Sequence, residues 1–187
     1  MIHSVHFTCV LDTNVIYPIE IRDVLFWFAF HELYTPKWSR HIFDEWREVM
    51  IRKAITPEEA DKRIARANQA FPDALVTNYD ALIDTLTLPD EKDRHVLAAA
   101  IKVNANLIIT NNLKDFPPDY LAAFGLAAKS ADDFLTDTID LNPPIAVQAF
   151  DDLVLNRRNP NLDHFEVLEA LRRNGLRSTA DYLHSQL

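Results

Sequence analysis

The stretch "FTCVLDTNV", residues 7–15, decides how the chain is read. Phe7 to Leu11 are apolar or β-branched, as in a strand buried on both faces. Asp12 then stands where that strand ends, followed by Thr13 and Asn14. A charge at the tip of a buried strand either caps the next turn or lies at an edge built to meet a ligand. A second stretch repeats the pattern. "ANLIIT", 105–110, reads as another buried strand, and Asn111, Asn112 and Asp115 follow it in the loop "NNLKDFPP".

Between these strands lie helical patterns. "EIRDVLFWFAFHEL", 20–33, is apolar all round and predicts a buried helix. "LYTP" predicts a short strand stopped by Pro36. "SRHIFDEWREVMIRK" predicts a helix capped by Ser39, with Ile42, Phe43, Trp46, Val49 and Met50 on one face. "TPEEADKRIARANQAF" has Thr56 as cap, Pro57 at the first position and two glutamates in the first turn. Residues 73–90 leave helix and strand both open. Asp90 then reads as the N-cap of "EKDRHVLAAAIKVN". Strands alternating with helices predict an α/β fold with a parallel sheet, and ligands of such sheets bind beyond the carboxyl ends of the strands. Asp12 and the group Asn111, Asn112 and Asp115 should therefore gather at one edge.

Past residue 125 the patterns are helical and punctuated by Pro143, Pro144 and Pro160. Ser178 with Asp181 resembles a capping box. The expected organisation is a sheet domain over residues 1–128 and a helical C-terminal extension over 129–187.

Composition narrows the chemistry. With 48% apolar residues the chain is globular, and only two glycines leave no Gly-rich phosphate loop. Cys9, the single cysteine, sits inside the first strand and reads as a small buried hydrophobe. No apolar run resembles a signal peptide or reaches membrane-spanning length, so a cytoplasmic protein with no membrane partner is expected. A net charge of −9 argues against a general polyanion-binding surface. It leaves room for local basic patches or bound cations that reverse the sign at a site.

Each acid alone has an ordinary explanation. Asp93 suits a helix N-terminus, Glu45 a solvated helix face, Asp12 a cap and Asp115 a turn. Together at one edge they would repel one another, and cations would neutralise them. Oxygen-only ligands suit Mg2+ or Mn2+, and the histidines show no H-x-x-x-H zinc spacing. Hard cations at such a site activate a water and steady the leaving oxygen of a phosphodiester. His95, two residues past Asp93, reads as a core or surface histidine rather than a general base.

Three motifs carry a family resemblance: "LDTNV" at 11–15, "DEKDRHVLAAAI" at 90–101 and "LIITNNLKDFP" at 107–117. Residues 6 to about 120 resemble the PIN domain, and specifically the VapC-type toxin ribonucleases. The resemblance implies a parallel sheet flanked by helices and metal-dependent endonucleolytic cleavage of RNA. Carried over, the family's acids fall on Asp12, Glu45 (with Asp44 and Glu48 as rivals), Asp93 (with Asp90 adjacent) and Asp115. These four would be the catalytic residues and the Mg2+ ligands, with Mn2+ as a substitute. Thr13, Asn14, Thr110 and Asn112 fit the supporting positions. It further implies an RNA substrate, a cognate antitoxin and a homodimer. Arg157, Arg158, Arg172 and Arg173 form a candidate phosphate-gripping rim, against the simpler reading of helix C-terminal charge. A second basic candidate is the helix face with Arg52, Lys53, Lys62, Arg63 and Arg66. The alternatives are a PIN-fold nuclease of RNA processing and a non-catalytic PIN-fold interaction domain. A haloacid-dehalogenase-like phosphatase is disfavoured because its D-x-D reads Asp12-Thr13-Asn14 here.

Overall fold

Strands β1 (Thr8–Leu11), β2 (Thr35–Ser39), β3 (Leu75–Val76), β4 (Leu107–Ile109) and β5 (Ala127–Lys129) form one parallel sheet in the order β3-β2-β1-β4-β5. They are seen in a computed structural model that describes residues 7–158 and 160–187. Residues 1–6 of the expected first domain and Asn159 of "NRRNPN" lie outside that description. β1 is the middle strand, and its Cys9, Val10 and Leu11 are completely buried, as an unbroken apolar run requires. Burial also pushes the Cys9 thiol far up, so it serves as a small inert hydrophobe.

The chain leaves β1 toward β2 on one side and reaches β4 on the other. The crevice between the carboxyl ends of β1 and β4 is therefore the switch point of the sheet, where open α/β sheets bind ligands. Both polar sets noted in the sequence lie at this crevice.

The flanking helices are α1 (Thr13–Ile16), α2 (Ile19–Phe30), α3 (Arg40–Arg52), α4 (Pro57–Ala70), α5 (Asp80–Ile83), α6 (Arg94–Lys102) and α7 (Pro118–Ala122); α2, α3, α4 and α6 follow the sequence patterns, while α5 falls in the stretch left open and α7 after the expected loop. Ser39 accepts from the Ile42 N–H at the start of α3, and Thr56 from the Glu59 N–H at the start of α4. In α6, His95 to Ala100 are all buried, because the helix lies against β1, β2 and β4.

Four local expectations are corrected. Pro36 does not stop β2; it lies inside it, opposite Cys9 of β1. The missing N–H is tolerated because the other neighbour, β3, begins only opposite Trp38. Asp90 caps a 3-10 turn (Glu91–Asp93) through the Lys92 N–H at 2.9 Å, and α6 proper starts after Asp93. The short β5 carries no apolar run and was not legible as a strand. Helix α2 is not covered all round: Phe28 is buried, while Phe30 is 63% exposed.

Helices α8 (Ala131–Leu141), α9 (Pro143–Asn156), α10 (His164–Arg173) and α11 (Arg177–Gln186) follow the sheet. They share one apolar core with it, which runs from Cys9 to Leu183. Two contacts tie α9 and the residue after it to α2 and its C-cap: a hydrogen bond of His31 with Asp152 at 2.8 Å, and an ion pair of Arg157 with Glu20 at 3.5 Å. The expected Ser178 capping box is absent. Asp132 of α8 instead accepts from the Ser178 and Thr179 N–H groups and from the Thr179 hydroxyl, and so caps α11 from outside. A true capping box forms at Asp163 and Glu166. Among the described residues no helix is long and apolar enough to cross a membrane.

Candidate active site

Asp12 is both a cap and a buried charge. Its Oδ1 accepts from the Thr13 N–H at 2.7 Å, the start of α1. Its Oδ2 accepts from Asn14 Nδ2 at 2.6 Å and from the Thr110 hydroxyl at 2.8 Å. Burial pushes its carboxyl above the usual range, and the bonds from Thr110 and Thr13 pull it back only in part. Asn14 clasps the two strand ends together: its Oδ1 accepts from the Asn111 N–H and its Nδ2 reaches Thr110 Oγ1 at 2.9 Å.

Glu45 projects from α3 toward the same crevice. Its Oε2 accepts from the Thr13 hydroxyl at 2.5 Å, and its Oε1 faces His95 Nε2 at 2.9 Å. Burial alone would raise its carboxyl; the bonds from His95 and Thr13 hold it below the usual value instead. The rivals Asp44 and Glu48 are exposed, and Asp44 lies 3.9 Å from Arg40 on its own helix, so α3 turns Glu45 alone inward.

Asp93 ends the 3-10 turn that Asp90 caps. It is the N-cap residue of α6 yet makes no side-chain cap bond, so its carboxylate stays available. Its Oδ2 accepts from Asn112 Nδ2 at 3.3 Å, and the same amide donates to Asp115 Oδ2 at 2.5 Å. Asp115 closes a second 3-10 turn (Leu113–Asp115) after β4. The Asp93 carboxyl is pushed up to about 6, by burial first and then by the charges of Asp12, Asp90, Asp115 and Glu45. Five acids thus act on one another across the crevice, and among the described residues no lysine or arginine side chain donates to any of them.

Such uncompensated negative charge fits a hard cation. Among the described residues no three His, Cys, Asp or Glu groups enclose a metal position as they stand. The donors that the set offers are carboxylate oxygens, the kind a hard cation such as Mg2+ takes, one or two at a time with several waters kept.

All the expected acids and the supporting Thr13, Asn14, Thr110 and Asn112 come together. Of the four candidate rim arginines, two are engaged by acids. Arg157 turns inward to Glu20, both side chains under a fifth exposed, and Arg172 is occupied by Glu169, Asp181 and His184. Arg158 and Arg173 are exposed. Sequence reasoning missed the part played by His95, which packs beside His41. The available signal was a lone polar residue at the head of the buried run His95–Ala100.

Comparison with known proteins agrees with this fold. Residues 8–114, more than half of the chain, match the PIN domain family. The chain belongs to the PIN domain family. Residues 131–185, covering α8 to α11, match the VapC50 C-terminal domain, so the PIN domain here is of the VapC type with a C-terminal extension. A 79-residue stretch is 43% identical to "Putative ribonuclease VapC50" of Mycobacterium tuberculosis (strain ATCC 25618 / H37Rv). That stretch is 40% of this chain and 46% of that protein, so it spans less than half of the relative's length. No solved structure matches the chain.

Proposed function

We propose that this PIN-domain chain is a metal-dependent endoribonuclease, the toxin of a toxin–antitoxin pair. The observation that carries the reading is the charge at the β1–β4 crevice, where Asp93 is pushed up to about 6 by burial and four neighbouring acids. The name of the relative, a ribonuclease, supports RNA as the substrate.

Asp12, Asp93, Glu45 and Asp115 would share the cation, Mg2+ or Mn2+, one or two of them directly and the others through its waters. When bound, such an ion makes water a better nucleophile and offsets charge on the phosphodiester. The chain's own contribution is placement. The bonds from Thr13, Asn14 and Thr110 fix the Asp12 carboxylate before any ligand arrives. Asn112 holds Asp93 and Asp115 side by side, and its displacement from either would free a donor for a phosphate oxygen. Thr13 bonds Glu45 to the strand end that carries Asp12.

The test is incubation of purified protein with mixed RNAs, in Mg2+ and in EDTA. Cleavage in Mg2+ that EDTA abolishes and added Mn2+ restores is the expected result. Undiminished cleavage in EDTA would remove the metal from the account. The toxin role predicts growth arrest on induced expression, relieved by co-expression of an antitoxin, and a homodimer on sedimentation.

A further inference from the structure

Glu45 stands apart from the other acids in how it is held. Asp12 takes its donors from the strand-end residues, and Asp93 and Asp115 share one amide. Glu45, a long side chain with three rotatable bonds, is gripped at both oxygens by residues of two other elements. Thr13 Oγ1 takes one. Since a carboxylate only accepts, His95 Nε2 must donate to the other.

His95 is built to stay in place. It is 7% exposed and lies among completely buried neighbours, Val96 to Ala100. Its ring stacks on His41, with centroids 5.2 Å apart and planes 22° apart. His41 Nδ1 in turn meets the hydroxyl of buried Tyr79 at 2.5 Å. The other nitrogen of His95, Nδ1, is buried with no hydrogen-bond partner. A position chosen for packing alone would take an apolar residue, as its neighbours do, and avoid that unsatisfied nitrogen. The imidazole is therefore accounted for by what Nε2 does.

We infer that His95 is a positioning residue: braced by His41 and Tyr79, its Nε2–H fixes the Glu45 carboxylate in the orientation that serves the cation site beside Asp12 and Asp93. The inference rests on reading that crevice as a cation site. It assigns His95 no contact with substrate and no proton transfer. It also explains why a histidine sits two residues past Asp93, in the first turn of α6: one segment, 93–95, supplies an acid and the brace for another acid.

The experiment compares His95→Gln with His95→Asn in the full-length protein. A glutamine amide can place its nitrogen near the position of imidazole Nε2 and still reach Glu45. The shorter asparagine keeps the amide chemistry but stops short of Glu45 and leaves part of the imidazole's space empty. Mn2+ affinity is read by calorimetry, alongside melting temperature without cation and RNA cleavage. His95→Asn should weaken Mn2+ binding by about 10- to 100-fold, the usual scale for losing a group that orients a metal ligand. His95→Gln should stay within a few-fold of the parent protein. Should His95→Asn not fold, His95→Leu, which removes the donor entirely, should show the same loss. Equal Mn2+ affinity in the parent and the donor-less variant overturns the inference, as does a glutamine variant no better than asparagine. Asp93→Asn serves as the control. If it too binds Mn2+ like the parent, or the parent binds none, the cation-site reading fails as well. If Asp93→Asn loses binding while the His95 variants do not, the brace alone is wrong.

Discussion

Asp93 at the sheet edge and Asp132 on α8 are both aspartates near a helix start, and they have opposite fates. Asp132 receives two backbone N–H groups and a hydroxyl from the head of α11; these outweigh burial and hold its carboxyl below the usual range. Asp93 receives one long bond from Asn112 and four neighbouring negative charges, and it is driven up to about 6. The C-terminal helices satisfy their acids in the same way elsewhere, through Asp163 with Glu166 and through Asp152 with His31. Asp132, which holds the fold together, is surrounded by donors, as is Asp12 in its role as a cap. Acids left facing one another cost stability and mark a place where something else supplies the positive charge.

The largest stability effect should come from the satisfied acid. Asp132→Ala strands the N–H and hydroxyl of completely buried Thr179 and uncaps α11, at a cost of about 2 kcal/mol. Thermal or urea melts measure it, and RNA cleavage per folded molecule should be unchanged. A neutral substitution would show that the extension does not depend on this latch.

An intermediate effect should appear in the pH dependence, with opposite signs for the two aspartates. Without divalent cation, folded Asp93 keeps its proton to about pH 6 while the unfolded chain loses it near 4. Its contribution makes stability fall as pH rises from about 4 to about 6, and then level off. Asp132, held low, contributes fully above about pH 4, and its contribution is lost as pH falls below that. Melting temperatures of parent and Asp93→Asn between pH 4 and 7 separate the two, since the variant should gain on the parent across that window. A constant gap would mean that Asp93 feels no neighbouring charge.

The smallest effect belongs to Asp90, which caps a 3-10 turn rather than a full helix. Asp90→Ala should cost about 1 kcal/mol or less and slow cleavage far less than a change at Asp93. An inactive but fully stable Asp90→Ala would reverse the roles given to these two residues.

Much of this was legible in the sequence because the signals are local. The runs of β1 and β4, the caps Ser39 and Thr56 and the alternation of strand and helix needed no tertiary information, and alternation with strand-end acids led to one edge. What was not legible depends on partners distant in sequence. β5 is a strand because β4 offers it hydrogen bonds, not because Ala127–Lys129 prefer to be one. Pro36 is tolerated because β3 starts late. Ser178 caps nothing because Asp132 arrives first. His95 looks like a core residue until Glu45, fifty positions away, is placed against it. Arg157 and Arg172 look free until Glu20, Asp181 and His184 take them. Asp12 carries both of the roles that the sequence offered as alternatives, cap and site acid.

The central claim is that the mutually repelling acids at the β1–β4 crevice, Asp93 above all, serve chemistry. The most direct measurement is RNA cleavage at saturating Mg2+ by Asp93→Asn, on protein whose cation-free melting temperature is measured in the same preparation. The account predicts a rate lower by orders of magnitude in a protein that melts at or above the parent temperature. Parental cleavage by Asp93→Asn, or loss of cleavage explained by unfolding, would contradict it.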